Sequence, residues 1–414
     1  MVFDTTSANT GHKTASCISI QIVLDRALLW LACRHHIGEV VLTHVWDELK
    51  IECSKSPEIS IFRRFRDNFG RLPLIEINNL SHTITLSVSH KSEIIQTIRD
   101  AVEHNNSQIF LRGDYLELVE LCIFYLEPET FTELFNREFS IKKPGALHKA
   151  RWMAKILYGI KILLLSQVIM KELPKGAVFG KGQLEKLQNF IRFVFYAYIQ
   201  WWITAPMVAA APLHDIVLLK KIENYKSSNQ IVSKGALVGI KNHLWYLTEE
   251  LVPLALFSEE VNNEEKQAMV IKLLEYKEGK FKKRFGSGFG KPCFPTLEGK
   301  DLKTISLKDF VGQDSWQFFR ILKIDTSFLY QPAERWGNYP LYKTGQMVVN
   351  SLKVVNDCAE RGVRLGLDFL SSARIEERYQ EVLQIVENDR KIMPNQRKRK
   401  LEPSNKTWFL ALSK

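Results

Sequence analysis

Between Phe193 and Leu213 runs FVFYAYIQWWITAPMVAAAPL, twenty-one residues without one charged side chain. So much contiguous apolar surface must be buried, either in a bilayer or in the core of a large fold. Gln200, Thr204 and the prolines Pro206 and Pro212 argue for the core. Proline removes a backbone donor and ends a helix, so the run reads as a helix of about three turns followed by a shorter one. Charged helices flank it and no second convincing span accompanies it, so a buried helix and no membrane partner are expected. The chain is long enough to supply such a core. Its 414 residues are 45% hydrophobic and 25% charged, the balance of a globular protein with room for two or three domains.

Helical spacing of apolar residues dominates the rest of the sequence. It predicts helices over 93–104, 115–125, 214–225, 233–247 and 263–276, with a long one over 346–370 and a last one over 375–390. A stretch rich in Gly, Pro and Lys, 277–308, reads as a linker. Its GSGFG lacks the lysine and hydroxyl of a phosphate-binding loop.

The N-terminal stretch differs from all of this. Val2 and Phe3 read as the end of a strand with Asp4 at its carboxyl end, followed by the turn residues Thr5 to Gly11. From Thr14 the apolar spacing is helical, and the sequence predicts one helix continuing to about Leu49, with Cys33, His35 and His36 along its far part. A carboxylate at a strand end can reach a metal or a substrate. The plainer alternative is that Asp4 caps the helix and Cys33 is a small buried hydrophobe. Zinc is not expected, because Cys33, His35, His36 and His44 lack the second pair that completes a tetrahedral set. Six scattered cysteines without a disulfide rhythm, and no signal peptide before Asp4, suggest free thiols in a reducing compartment.

Fifty-seven Lys and Arg against forty-six Asp and Glu give a formal charge of +11, which favours a polyanionic partner. Arg63, Arg64, Arg66 and Arg71 crowd one short helix with Phe62, Phe65 and Phe69. That helix is either a phosphate-binding patch or an ordinary amphipathic surface helix. Lys149 and Arg151 open a helix whose dipole they oppose, which calls for an anion from elsewhere. The terminal RKIMPNQRKRK fits a nuclear address or a DNA-touching arm.

Four stretches resemble, in order, landmarks of the hAT-type DNA transposases. FDTTSANTG resembles the strand end that carries a catalytic aspartate, and CRHH (Cys33 to His36) is similar to the family's CxxH motif. ARWMAK resembles its Arg-Trp motif, and NDCAERGVRL resembles the late helix that carries a catalytic glutamate. The resemblance implies a mainly α protein in which a large helical insertion interrupts a ribonuclease H-like α/β core. In domains it implies a partial core over 1–50, the helical insertion over 51–276 and the linker over 277–308. The core then returns over 309–390, followed by the basic tail 391–414.

It also implies chemistry. Asp4 and Glu360 would be the catalytic, magnesium-binding carboxylates of a two-metal strand transfer. Arg151 would contact phosphate, Trp152 would stack a displaced base, and Cys33 and His36 would shape the DNA-binding surface beside them. The implied partner is DNA, with a homo-oligomer compatible, in the nucleus. The family's first aspartate and the opening strands of its sheet have no counterpart before Asp4. The expectation is therefore a truncated, transposase-derived DNA-binding protein, catalytically inactive on its own. The alternatives are an active transposase with an incomplete N-terminus, and a non-enzymatic helical scaffold or membrane-associated protein.

Overall fold

The computed structural model describes residues 2–3, 5, 7–10, 16–52, 59–73, 84, 86–103, 113–145, 153–276 and 301–355. The chain divides into two units, Met1–Asp357 and Cys358–Lys414, and every described residue belongs to the first. Asp4, Arg151, Trp152 and Glu360 lie outside the described residues, as do the linker through 300 and the basic tail.

The fold opens with strand β1 (Val2–Phe3), a helical turn α1 (Ser7–Thr10) and helix α2 (Ser16–Val23). The predicted single helix to Leu49 does not form. Leu24, Asp25 and Arg26 close the end of α2 with short-range backbone hydrogen bonds, and Asp25 adopts a left-handed conformation with φ 46°. The Gln21 side chain accepts from the Leu28 N–H and turns the chain back. The apolar run Leu28 to Ala32 then supplies strand β2 (Leu31–Ala32), which pairs parallel with β1 in the register Val2 to Leu31 and Phe3 to Ala32. A short apolar run is ambiguous between strand and buried helix, and here it is buried as strand. Among the described residues this two-stranded parallel sheet is all the β-structure, so the protein is mainly helical.

Helix α3 (Arg34–Leu49) leaves β2 through Cys33. Helix α4 (Ser60–Asn68) turns Phe62 and Phe65 into the core at 0% exposure, so its aromatics do not interleave with its arginines on the surface. Arg64 is committed to the fold as well, donating to the Val178 carbonyl and lying 3.4 Å from Glu52. The amphipathic alternative therefore describes this helix.

Helices α5 (Val88–Glu103), α6 (Gly113–Leu126), α7 (Pro128–Phe135), α8 (Ala154–Leu164) and α9 (Ser166–Glu172) follow. The uncharged run begins at the end of α10 (Gln183–Phe193), passes through a π-helical turn over Val194–Tyr198 and ends the helix in α11 (Ile199–Ile203). Trp201, Trp202 and Ile203 are buried there. Pro206 falls in the turn that follows, and Pro212 lies in the first turn of α12 (Ala211–Asn224), where its missing N–H has no intrahelical partner to lose. No separate short helix closes the run; its last residues open the helix read over 214–225, because proline starts that helix instead of stopping it. Among the described residues no helix is long and apolar enough to cross a membrane.

Helices α13 (Gln230–Lys241) and α14 (Asn263–Leu274) come next, each opened by an asparagine whose side chain accepts a backbone N–H. The stretch read as a linker over 277–308 is corrected at its described end, 301–308, where Leu302, Ile305 and Leu307 are already buried in the core, and α15 (Ser315–Leu322) and α16 (Pro340–Ser351) follow. The predicted helix over 346–370 is corrected here. It starts earlier, at Pro340, and ends at Ser351, with the next residue, Leu352, extended at ψ 156°; residues 356–370 lie outside the described residues.

The tightest helix pair is α3 against α13. A Cβ added at Gly235 would stand 2.9 Å from the His44 carbonyl oxygen, and one at Gly239 would stand 2.9 Å from the Val41 Cα. Two glycines four residues apart thus let the backbones approach directly. The order of these contacts makes the helices antiparallel, so the far end of α13 meets the start of α3.

Candidate functional site

The start of α3 is where separate parts of the chain converge. The Cys33 N–H donates to the Phe3 carbonyl at 2.7 Å, and the Arg34 N–H donates to the Val354 carbonyl at 2.9 Å. Helix N-termini leave backbone donors without partners, and a Ser, Thr, Asp or Asn side chain usually caps them. Cys33 makes no such side-chain cap. Strand β1 and the segment after α16 supply the acceptors instead. Tyr246, 0% exposed, donates its hydroxyl to the Ala32 carbonyl at 2.6 Å and secures the strand just before the turn.

Phe3 is the residue before Asp4 in sequence, and Val354 stands two residues before the NDCAERG stretch. The described part of ARWMAK also reaches α3. Met153 is fully buried at the start of α8, and Lys155 donates to the Thr43 hydroxyl at 2.9 Å. Burial holds the Lys155 amine below the usual lysine range, partly offset by the charges of Glu39 and Asp47. CRHH forms the start of α3, and residues in or next to the other three stretches touch that start or its flank.

Within CRHH itself the side chains divide sharply. Cys33 is 4% exposed, so its side chain does not present itself at the surface. Arg34 is fully buried. Its guanidinium pairs with Asp215 at 2.8 Å, donates to the Ala205 carbonyl at 3.1 Å and lies over the Trp201 ring at 4.8 Å. Trp201 donates its indole N–H to the same Asp215 oxygen at 2.9 Å. His35 is 5% exposed, stacked on Trp202, with Nδ1 3.2 Å from the Tyr115 hydroxyl. Only His36 is half-exposed, 3.6 Å from Glu39.

His36 has a neighbour that the sequence does not announce. His243 sits just past α13, and its pKa is lowered to about 4 by burial first and then by His36 and His44. Among the described residues no group of His, Cys, Asp and Glu is arranged to hold a metal ion. This corner thus gathers the imidazoles of His36, His44 and His243 beside the Glu39 carboxylate.

Sequence reasoning named Cys33 and His36 and passed over Arg34, Asp215 and Trp201. The available signal was Asp215 itself, the lone acidic residue in APLHDIVLL, since a carboxylate within an apolar helix calls for a buried cation. Which cation it finds, 181 residues away, is a matter of tertiary structure. The chain matches no model of a known protein family, no curated protein and no solved structure.

Proposed function

We propose that this chain is a transposase-derived DNA-binding protein, with the start of α3 as the corner that meets DNA. One observation carries the reading. Phe3, Cys33, Lys155 and Val354, which lie in or beside the four stretches resembling hAT transposases, all make hydrogen bonds at the start of α3 or along it. CRHH is itself the start of α3, so the support is that the other three stretches, or residues beside them, all bond to this one helix. The carboxyl end of a parallel strand is also where α/β folds place their ligands, and Asp4 follows β1 in sequence. A ribonuclease H-like arrangement belongs to this proposal, as do the nuclear location and the phosphate and stacking roles of Arg151 and Trp152.

The activity proposed is DNA binding, and magnesium enters this reading only where Asp4 and Glu360 belong to a complete carboxylate set. The test is fluorescence anisotropy of the full chain with short labelled duplex and single-stranded DNA. Affinity should fall at least tenfold between about 50 mM and 200 mM salt, as phosphate contacts require. No binding to either probe at the lower salt overturns the reading.

A non-enzymatic helical scaffold is the second reading, favoured by the burial of Cys33, Arg34 and His35. It expects flat anisotropy with both probes and a protein that unfolds when the Arg34 network is cut.

A further inference from the structure

We infer that the outward face of α13 is a groove for the phosphodiester backbone of a nucleic-acid strand. The inference rests on the DNA-binding reading above and assigns it a surface. Lys226, Gln230, Lys234, Val238, Lys241 and Asn242 are among the residues lining a groove of about 410 Å³, and no carboxylate lines it. Lys234 and Lys241 form no ion pair with any described residue, and Lys226 has only Glu223, at 3.7 Å. Two unpaired ammonium groups on one groove wall repel each other and await an anion.

The spacing fits an extended anion. Lys234 and Lys241 are seven residues apart on one helix, about 10 Å along its axis, which is the rise of roughly three nucleotides of one strand. The side-chain amides of Gln230 and Asn242 add neutral donors, the kind that join Lys and Arg on phosphate oxygens. A concave channel with cations spaced along it follows a strand, whereas a flat anionic bilayer presses on a convex or planar face.

The opposite side of α13 fixes this presentation. Gly235 and Gly239 lie backbone to backbone on α3, so the helix cannot roll to hide its lysines. Because the two helices are antiparallel, the Lys241 end of the groove opens toward His243 and His36. The groove thus leads to the corner where the motif stretches converge, and one strand would engage both.

The experiment compares the full wild-type chain with K234E/K241E, and with K308E/K343E as a charge-matched control on exposed lysines elsewhere. Circular dichroism and thermal melting confirm that each variant folds. The probes are labelled duplex and single-stranded DNA, with anionic phosphatidylserine vesicles as a separate arm. The expected result is at least a tenfold loss of duplex affinity in K234E/K241E. A K234A/K241A variant should lower the slope of log affinity against log salt by about 2, near 0.9 for each lost contact. The control should move far less. Wild-type DNA binding that K234E/K241E leaves intact, or that both reversals weaken equally, overturns the groove and leaves the DNA-binding reading standing. Binding to vesicles but not to DNA overturns both.

Discussion

Arg34 and Asp215 meet at 2.8 Å with both side chains fully buried, although 181 residues separate them in the chain. Removing two charges from water is costly, and close-packed partners offset only part of it, because Arg34 Nε and Asp215 Oδ2 are buried without a hydrogen-bond partner. The Ala205 carbonyl, the Trp201 indole and the Trp201 ring surround the pair. Cutting one member leaves the other charge buried and uncompensated. D215A should therefore lose about 3–5 kcal/mol of stability, whereas R34M/D215L should lose much less than the sum of its single variants. Urea unfolding followed by tryptophan fluorescence measures both. A D215A loss below about 1 kcal/mol would show that the pair does not hold α12 to the start of α3.

The α3–α13 contact leads to a prediction about size alone. G239A places a methyl 2.9 Å from the Val41 Cα, a backbone atom that cannot step aside, and G235A meets the His44 carbonyl at the same distance. Alanine ordinarily stabilises a helix relative to glycine by about 1 kcal/mol. Here each change should destabilise instead, by about 1–3 kcal/mol, because the helices must separate. Thermal melting decides the sign. Gly70 is the comparison, since a Cβ there meets nothing within 4 Å.

Tyr246 offers a finer test of the turn into α3. Its hydroxyl donates to the Ala32 carbonyl in a fully buried setting, and Y246F removes only that oxygen. The Ala32 carbonyl then lacks this donor, so the loss should be about 1–3 kcal/mol. Hydrogen exchange should speed up at Cys33 and Arg34 more than at the middle of α13 if the effect is local.

The helices of this fold were legible because their signals are local. The helices read over 93–104, 115–125, 214–225 and 263–276 appear as α5, α6, α12 and α14, with ends displaced by a few residues. The uncharged run was legible as core, because Pro206 and Pro212 forbade a continuous span. The short second helix expected within that run was misjudged, since its residues open the helix read over 214–225, because proline both ends and begins helices and only context separates the two roles. The β2 strand was not legible. Leu31 and Ala32 gain strand geometry only from pairing with Val2 and Phe3, twenty-nine positions earlier in the register. Of the candidate site, Cys33 and His36 could be named from CRHH, but which side chain faces inward could not. Arg34 is buried because Asp215 and Trp201 await it, and nothing near position 34 carries that information.

Stability against pH should reveal two buried groups that pull in opposite directions. The pKa of His243 is lowered to about 4, chiefly by burial and then by His36 and His44, so the folded state resists protonating it. An unfolded histidine titrates near 6.5, so its contribution is fully present above that pH and is lost as pH falls from about 6.5 to 4. Glu250 is raised to about 7, first by burial and further by the charges of Asp314 and Glu249. An unfolded glutamate titrates near 4.3, so its contribution is present below that pH and is lost as pH rises from about 4.3 to 7. Each shift corresponds to at most about 4 kcal/mol, and their windows overlap almost completely. The wild-type profile should therefore be nearly flat between these limits as far as these two groups decide it. H243Q should make stability fall as pH rises through the window, and E250Q should make it rise. Urea midpoints at pH 4.5, 5.5 and 6.5, on the order of the two titration windows, measure the tilt. Parallel profiles for both variants would show that neither group is held in its neutral form by the fold.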